Sequence, residues 1–231
     1  MMRFVVRSFR SIAGIAVGLS LALLLLPGVV QAGAGGYSGD AYGQLVNNGS
    51  SWGGGYVQTE IANLSANGPG NYANEEIWVS SIGGYWNSWV EVGYSANQPN
   101  CYQGLEWFWD EEDEGTAGRV YCGATNPTVG TWHELEAQQV SGDTWAVYID
   151  EAEVSPTFTM NASYNQSAAT GLEYHNSDSI TLTGDAYFSY NELRQPSTSS
   201  WEYWPSGTTI AQYPNVFNWY WTTDYIHGYD E

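Results

Sequence analysis

Short segments in which hydrophobic and polar residues alternate recur along most of the chain. In residues 88–94, three apolar side chains share one face and Glu91 lies on the other. Comparable segments are residues 105–109, 132–140, 144–149, 172–175, 179–182, 186–191 and 217–222. A period of two residues is typical of β-strands that bury one face. Because turn-forming residues separate the segments and no long helical pattern occurs, the sequence predicts an all-β, antiparallel β-sandwich.

The first 32 residues have a different pattern. Three arginines precede an uncharged, apolar run over residues 12–26, and small residues follow up to Ala32. This combination is typical of the helix of a cleaved secretory signal peptide. The run is shorter than the roughly 20 residues that a membrane-spanning helix needs, and an uncleaved N-terminal anchor is the alternative. We therefore expect secretion, with a mature N-terminus near Gly33.

The rest of the sequence has the length of one domain. Residues 33–55 are rich in glycine and are expected to form an extended N-terminal segment. Residues 56–231 are predicted to form a single β-sandwich domain, because no internal repeat and no long linker divides them. We expect this domain to be a monomer.

The charge of the mature chain is strongly negative. The sequence contains 25 acidic and five basic residues and no lysine, and only Arg119 and Arg194 follow the predicted signal peptide. Such a field repels phosphate backbones and anionic lipids. The composition therefore argues against nucleic acid as a partner, and against a membrane once the signal peptide is removed.

Cys101 and Cys122 are the only cysteines of the chain. In an oxidising compartment, an isolated pair is most simply one disulfide bond. Closing a loop of this length stabilises a fold by roughly 3 kcal/mol.

Two glutamates are candidates for chemistry. Glu91 interrupts an apolar strand segment, where burying an unpaired carboxylate is unfavourable. The simplest interpretation is that its face, which includes Trp89 and Gly93, is exposed to solvent. The alternative is a site, since Gly93 has no side chain beside the carboxylate and leaves room for a ligand.

Glu173 lies in the segment G-L-E-Y-H and shares a face with His175. If Glu91 and Glu173 faced one cleft, their titrations would be coupled. One carboxyl group would then be protonated and the other ionised at mildly acidic pH. Such a pair can perform general acid–base chemistry on a bound water.

Residues 87–94, N-S-W-V-E-V-G-Y, resemble a strand of the neprosin-type glutamic peptidases. That strand carries a catalytic glutamate before an apolar-Gly-aromatic triplet. In that family a cysteine pair follows, as Cys101 and Cys122 do here. A second catalytic glutamate precedes an aromatic residue, as Glu173 precedes Tyr174.

The eqolisin peptidases are similar in the order of their motifs, over residues 76–191 of this chain. They have a Trp-Val strand, which Trp78 and Val79 match, and a catalytic Gln where this chain has Glu91. Their aromatic-acid-aromatic strand resembles residues 105–109, L-E-W-F-W. Their catalytic glutamate again corresponds to Glu173.

The resemblance implies a concanavalin A-like, jelly-roll β-sandwich and an acid-active endopeptidase with Glu91 and Glu173 as its dyad. We expect Trp89, Trp107, Tyr174 and His175 to bind substrate, because they flank the two glutamates or belong to the matched strands. The implied partner is a polypeptide, and no cofactor is expected.

Two other functions fit the same residues. A non-catalytic, lectin-like module would bind a glycan through exposed aromatic rings. A glycosidase would use the same carboxylate pair at a separation of about 5 Å or roughly 6.5–9.5 Å.

Other acidic residues and the histidines give no metal motif. Residues 110–114 are five consecutive acids without the spacing of a calcium-binding loop, so a solvated acidic loop is expected rather than a calcium site. The histidines His133, His175 and His227 are scattered, so no zinc site is expected.

Overall fold

The computed structural model is built of β-strands, and the described part of the chain contains no helix. The structure describes residues 41–47, 52–66, 71–82, 88–98, 101, 104–112, 118–154, 157–160, 165–175, 180–183, 186–195, 199–204, 209–213, 218–222 and 225–229. The predicted signal peptide lies outside these residues. In the described ranges no helix is long and apolar enough to cross a membrane.

The first sheet has seven antiparallel strands in the order β16-β1-β12-β4-β5-β6-β7. Its strands are β1 (Ala41–Asn47), β4 (Tyr72–Ile82), β5 (Trp89–Ala96), β6 (Leu105–Glu112), β7 (Arg119–Cys122), β12 (Asn165–His175) and β16 (Thr209–Tyr213). The long strands β12 and β4 pair along their whole length at the centre.

The second sheet has nine strands, with the path β10-β9-β8-β2-β14-β18-β17 and the short strands β11 and β15 beside β9 and β14. Its strands are β2 (Gly54–Glu60), β8 (Trp132–Ser141), β9 (Thr144–Ile149), β10 (Ala152–Glu153), β11 (Phe158–Thr159), β14 (Ala186–Arg194), β15 (Trp201–Tyr203), β17 (Asn218–Thr222) and β18 (Tyr225–Tyr229). The remaining strands, β3 (Asn63–Ala66) and β13 (Ile180–Thr183), form a separate pair.

The core lies between the two large sheets. Successive side chains of β4 point to opposite faces of the sheet, and Ala73, Ile77 and Val79 are fully buried on one of them. Gly55 of β2 lies so close to Ile77 that an added Cβ would be 2.7 Å from the Ile77 Cδ1 atom. We call this face of the first sheet the inner face and the opposite one the outer face.

The predicted β-sandwich is therefore confirmed, and the predicted strands lie within one or two residues of the observed β5, β8, β9, β13 and β17. Strand β14 continues three residues beyond its predicted end. The hairpin between β8 and β9 turns at Gly142, whose φ of 51° favours glycine. The glycine-rich segment 33–55 contains β1, which pairs with β12 and β16 as a full member of the first sheet. Sequence patterning had not singled out that strand.

The predicted disulfide is confirmed. Cys101 and Cys122 are bonded, with their Cα atoms 5.5 Å apart. Cys122 belongs to the edge strand β7 and pairs with Phe108 of β6. The disulfide thus ties the loop after β5 to the edge of the first sheet.

Candidate active site

Carboxyl groups from four adjacent strands meet on the outer face of the first sheet. Glu91 of β5 pairs with Trp78 of β4 on one side and with Asp110 of β6 on the other. On the opposite side of β4, Glu173 of β12 pairs with Asn74. Because side chains alternate along each strand, these residues all project to the same face.

Glu76 occupies the centre of this face. Its neighbours across the sheet are Gly171 of β12 and Gly93 of β5, neither of which has a side chain. Glu91 and Glu173 are its diagonal neighbours, at a spacing that long side chains can span. We refer to Glu76, Glu91, Asp110 and Glu173 as the carboxylate cluster.

Gly93 does not leave open space for a ligand, contrary to the expectation from the sequence. A Cβ at this position would lie 2.1 Å from the backbone oxygen of Glu75 and 2.9 Å from the Glu76 Cα atom. The space beside Glu91 is therefore filled by β4, not left open for a ligand. Glycine is required because it lets the two strands approach closely.

The cluster is buried although it faces away from the second sheet. Glu76 is 1% exposed, Glu91 7% and Asp110 8%, whereas Glu173 is half-buried. The expectation that the Glu91 face is open to solvent was therefore wrong. It was also wrong to assign Asp110 to a solvated acidic loop, since it lies in β6 opposite Glu91.

Burial and mutual repulsion make these groups weak acids. Desolvation raises the pKa of Glu91 well above its usual range, and the charges of Glu76, Asp110 and Glu173 raise it further. Desolvation likewise raises the pKa of Asp110 to about 6. At mildly acidic pH, the deepest members of the cluster are therefore neutral.

One pair in the cluster is joined directly. The carboxyl groups of Glu76 and Glu173 hydrogen-bond to each other. Desolvation raises the pKa of Glu76, and the charge of Glu173 raises it further. Two carboxyl groups can form such a bond only when one of them holds a proton. A carboxyl pair that shares one proton can act as both acid and base toward a bound water.

The predicted substrate-binding residues are divided between the two faces. Trp89 is half-buried on the outer face, two residues from Glu91 on the same strand. Trp107 lies on the inner face, 7% exposed, with its ring 6.1 Å from Tyr94 and 4.9 Å from His133. The structure therefore does not bring Trp107 to the carboxylate cluster.

The side chains of Tyr174 and His175 lie outside the described residues. Their backbones pair with Ala73 and Tyr72 of β4. By this register His175 belongs to the same alternation as Glu173, and Tyr174 to that of the core residue Leu172.

A second polar cluster lies on the other sheet. The Nδ1 and Nε2 atoms of His133 are each 2.8 Å from a partner, the Asp150 carboxylate and the Thr131 hydroxyl. This order resembles a hydrolase triad, but the Thr131 hydroxyl donates to the backbone oxygen of Thr128 at 2.6 Å. Asp150 also accepts the backbone N–H of Glu134 at 3.0 Å. These bonds anchor the turn after β9 to β8.

Within the described ranges, no group of three or more His, Cys, Asp or Glu side chains has an arrangement that could hold a metal ion. The sequence patterns did not single out Glu76, and they did not place Asp110 in the cluster. A signal for Glu76 existed, because Glu75 and Glu76 are adjacent acids inside a strand that contains no other charged residue.

Comparisons with known proteins support the fold. No family model matches the chain, and no curated protein matches its sequence. Among solved structures, a Scytalido-glutamic peptidase bound to a peptide-based transition-state analogue aligns with 84% of this chain and 98% of its own, with 11% identity and a TM-score of 0.61. SCP-B, a member of the eqolisin family of peptidases in complex with the tripeptide Ala-Ile-His, covers the same shares with 10% identity and a TM-score of 0.56. The chain therefore has the concanavalin A-like β-sandwich fold of these peptidases.

Proposed function

We propose that this chain is a secreted, acid-active endopeptidase in which Glu91 and Glu173 form the catalytic dyad. The main support is the strand register, in which β4 separates the two glutamates on one face of the sheet. The fold shared with glutamic peptidases along most of the chain supports the same conclusion.

Burial distinguishes the roles of the two groups. Glu173 is the more exposed member, and it acts as the ionised general base. It removes a proton from water, and the water oxygen attacks the peptide carbonyl carbon. Glu91 is more deeply buried and faces Asp110, so it keeps its proton at acidic pH. It donates a hydrogen bond to the oxyanion that forms.

Glu173 then returns its proton to the peptide nitrogen as the carbon–nitrogen bond breaks. The products are a carboxylic acid and an amine, and both glutamates regain their starting protonation states. The reaction is restricted to acidic pH because ionisation of Glu91 removes the hydrogen-bond donor.

The experiment is digestion of a denatured protein substrate from pH 2 to pH 7, with the products identified by mass spectrometry. We expect cleavage at acidic pH by wild-type protein and no detectable cleavage by Glu91→Ala or Glu173→Ala. Glu75→Gln is the matched control, because Glu75 is buried on the inner face of β4. Full activity of either alanine variant contradicts the dyad. Retention on a polysaccharide column without peptide cleavage supports the lectin-like alternative instead.

A further inference from the structure

Glu76 is the member of the cluster to which the proposed dyad assigns no role. It lies between the strands that carry Glu91 and Glu173, and the two cross-strand glycines beside it leave its carboxyl group free to reach both. Of these two glutamates, Glu173 is the one that hydrogen-bonds to Glu76.

Several observations indicate that Glu76 is the partner that holds the proton. It is 1% exposed, whereas Glu173 is half-buried and better able to remain ionised. The Glu76 Oε2 atom is buried and has no N–H or hydroxyl donor among the described residues. A protonated carboxyl group carries its own hydrogen and can direct it to Glu173. The Asn74 side chain hydrogen-bonds to Glu76, which helps to fix the orientation of its carboxyl group.

We propose that Glu76 is a positioning residue, whose protonated carboxyl group donates a hydrogen bond to the Glu173 carboxylate and holds it ionised and oriented toward the water that it activates. This inference rests on the proposed function, because it gives Glu76 a part in the same hydrolysis. Glu76 acts through Glu173 and does not contact the substrate.

The arrangement has a direct consequence for titration. The titratable groups that face Glu76 are Glu91 from β5, Asp110 from β6 and Glu173 from β12, and the register places Tyr42 of β1 opposite Glu173. A hydrogen bond donated to a carboxylate favours its ionised form and lowers its pKa. Without the donor, the half-buried carboxyl group of Glu173 lies among other acids, and its pKa is expected to rise.

Two substitutions separate this role from a structural one. Glu76→Gln keeps an N–H donor at the same place, whereas Glu76→Met has a similar length and no donor. We expect the acidic limb of the pH profile of kcat to stay in place in Glu76→Gln and to move up by about one pH unit in Glu76→Met. We expect kcat to fall by about tenfold or more in Glu76→Met, with KM little changed. Glu75→Gln is the control for changing a neighbouring buried glutamate.

A second measurement does not depend on activity. Protein labelled with ¹³C at the glutamate side-chain carboxyl carbons is titrated by NMR, and the Glu173 signal is assigned by its absence in Glu173→Gln. The pKa of Glu173 is expected to rise by about one unit in Glu76→Met and to stay unchanged in Glu76→Gln.

The outcomes are distinct. Equal behaviour of the Gln and Met variants, or an unchanged Glu173 titration in Glu76→Met, overturns the positioning role. Absence of peptidase activity in the wild-type protein contradicts the proposed function, while the NMR titration still tests the hydrogen bond. If Glu76→Met does not fold, Glu76→Ala replaces it with the same expected shifts.

Discussion

The inner and outer faces of β4 carry two adjacent glutamates that are equally buried and have different neighbours. On the inner face, Glu75 accepts a hydrogen bond from the Thr59 hydroxyl at 3.0 Å and hydrogen-bonds to Tyr94. On the outer face, Glu76 meets other carboxyl groups. Burial alone therefore does not mark a functional acid. The neighbours differ, since hydroxyl groups donate hydrogen bonds to Glu75, whereas Glu76 lies beside a carboxyl group with which it can share a proton.

The largest expected effect is the loss of activity when a glutamate of the outer face is replaced. Glu91→Ala and Glu173→Ala should each lower kcat by about 10²-fold to 10⁴-fold, because each removes one half of the acid–base pair. The double variant should be little worse than either single one, since the two groups act as a unit. Rates are measured on one peptide at the optimum pH. Additive losses would contradict a shared mechanism.

The next effect is the contribution of Glu75 on the inner face to the pH dependence of stability. Desolvation raises the pKa of its carboxyl group to about 8, so the folded state binds a proton that the unfolded chain releases near pH 4. The protein should therefore lose stability as the pH rises from about 4 to about 8, by roughly 3–5 kcal/mol from this group. Urea unfolding across this range measures the free energy of unfolding.

The glutamine in Glu75→Gln cannot titrate. The free energy of unfolding of this variant should therefore depend less steeply on pH, by the contribution of one proton. Glu76, Glu91 and Asp110 keep their share of it, because their pKa values are raised in the same direction. An unchanged slope in Glu75→Gln would show that this carboxyl group does not control stability.

A third prediction tests the close approach of β4 and β5 at Gly93. Gly93→Ala places a methyl group 2.1 Å from the Glu75 backbone oxygen, so β4 and β5 must separate. We expect a loss of about 1–3 kcal/mol in stability, together with reduced activity, since Glu76 moves relative to Glu91. Thermal unfolding and peptide cleavage measure both. A matched variant is Gly142→Ala, where the space is open and only the positive φ is strained.

The smallest expected effect is a change in the pKa of Glu91. Asp110→Asn removes a negative charge opposite Glu91, and that charge is present above about pH 6. The pKa of Glu91 should fall, so the alkaline limb of the activity profile should move to lower pH by less than about one unit. Stability near neutral pH should rise slightly as repulsion is relieved. A shift of the limb to higher pH would contradict the assignment of Glu91 as the acid.

Much of the fold could be predicted because its signals are local. The two-residue period identified eight of the eighteen described strands, in whole or in part. It also placed Val90 and Val92 together on the face that proved to be the core, since alternation along a strand fixes which side chains share a face. It also placed Glu91 and Glu173 on the faces opposite to those core residues. The disulfide followed from the number of cysteines in a chain for which an export signal is predicted.

The sequence by itself therefore determined the fold class, the disulfide and the sidedness of the two candidate glutamates. Only the tertiary structure decided that β4 lies between β5 and β12, because strand order depends on contacts between distant segments. That order buries Glu91, brings Glu76 beside Glu173 and turns Trp107 to the opposite face. The same long-range pairing explains Gly93, whose missing side chain is replaced by the backbone of a strand that begins some twenty residues earlier.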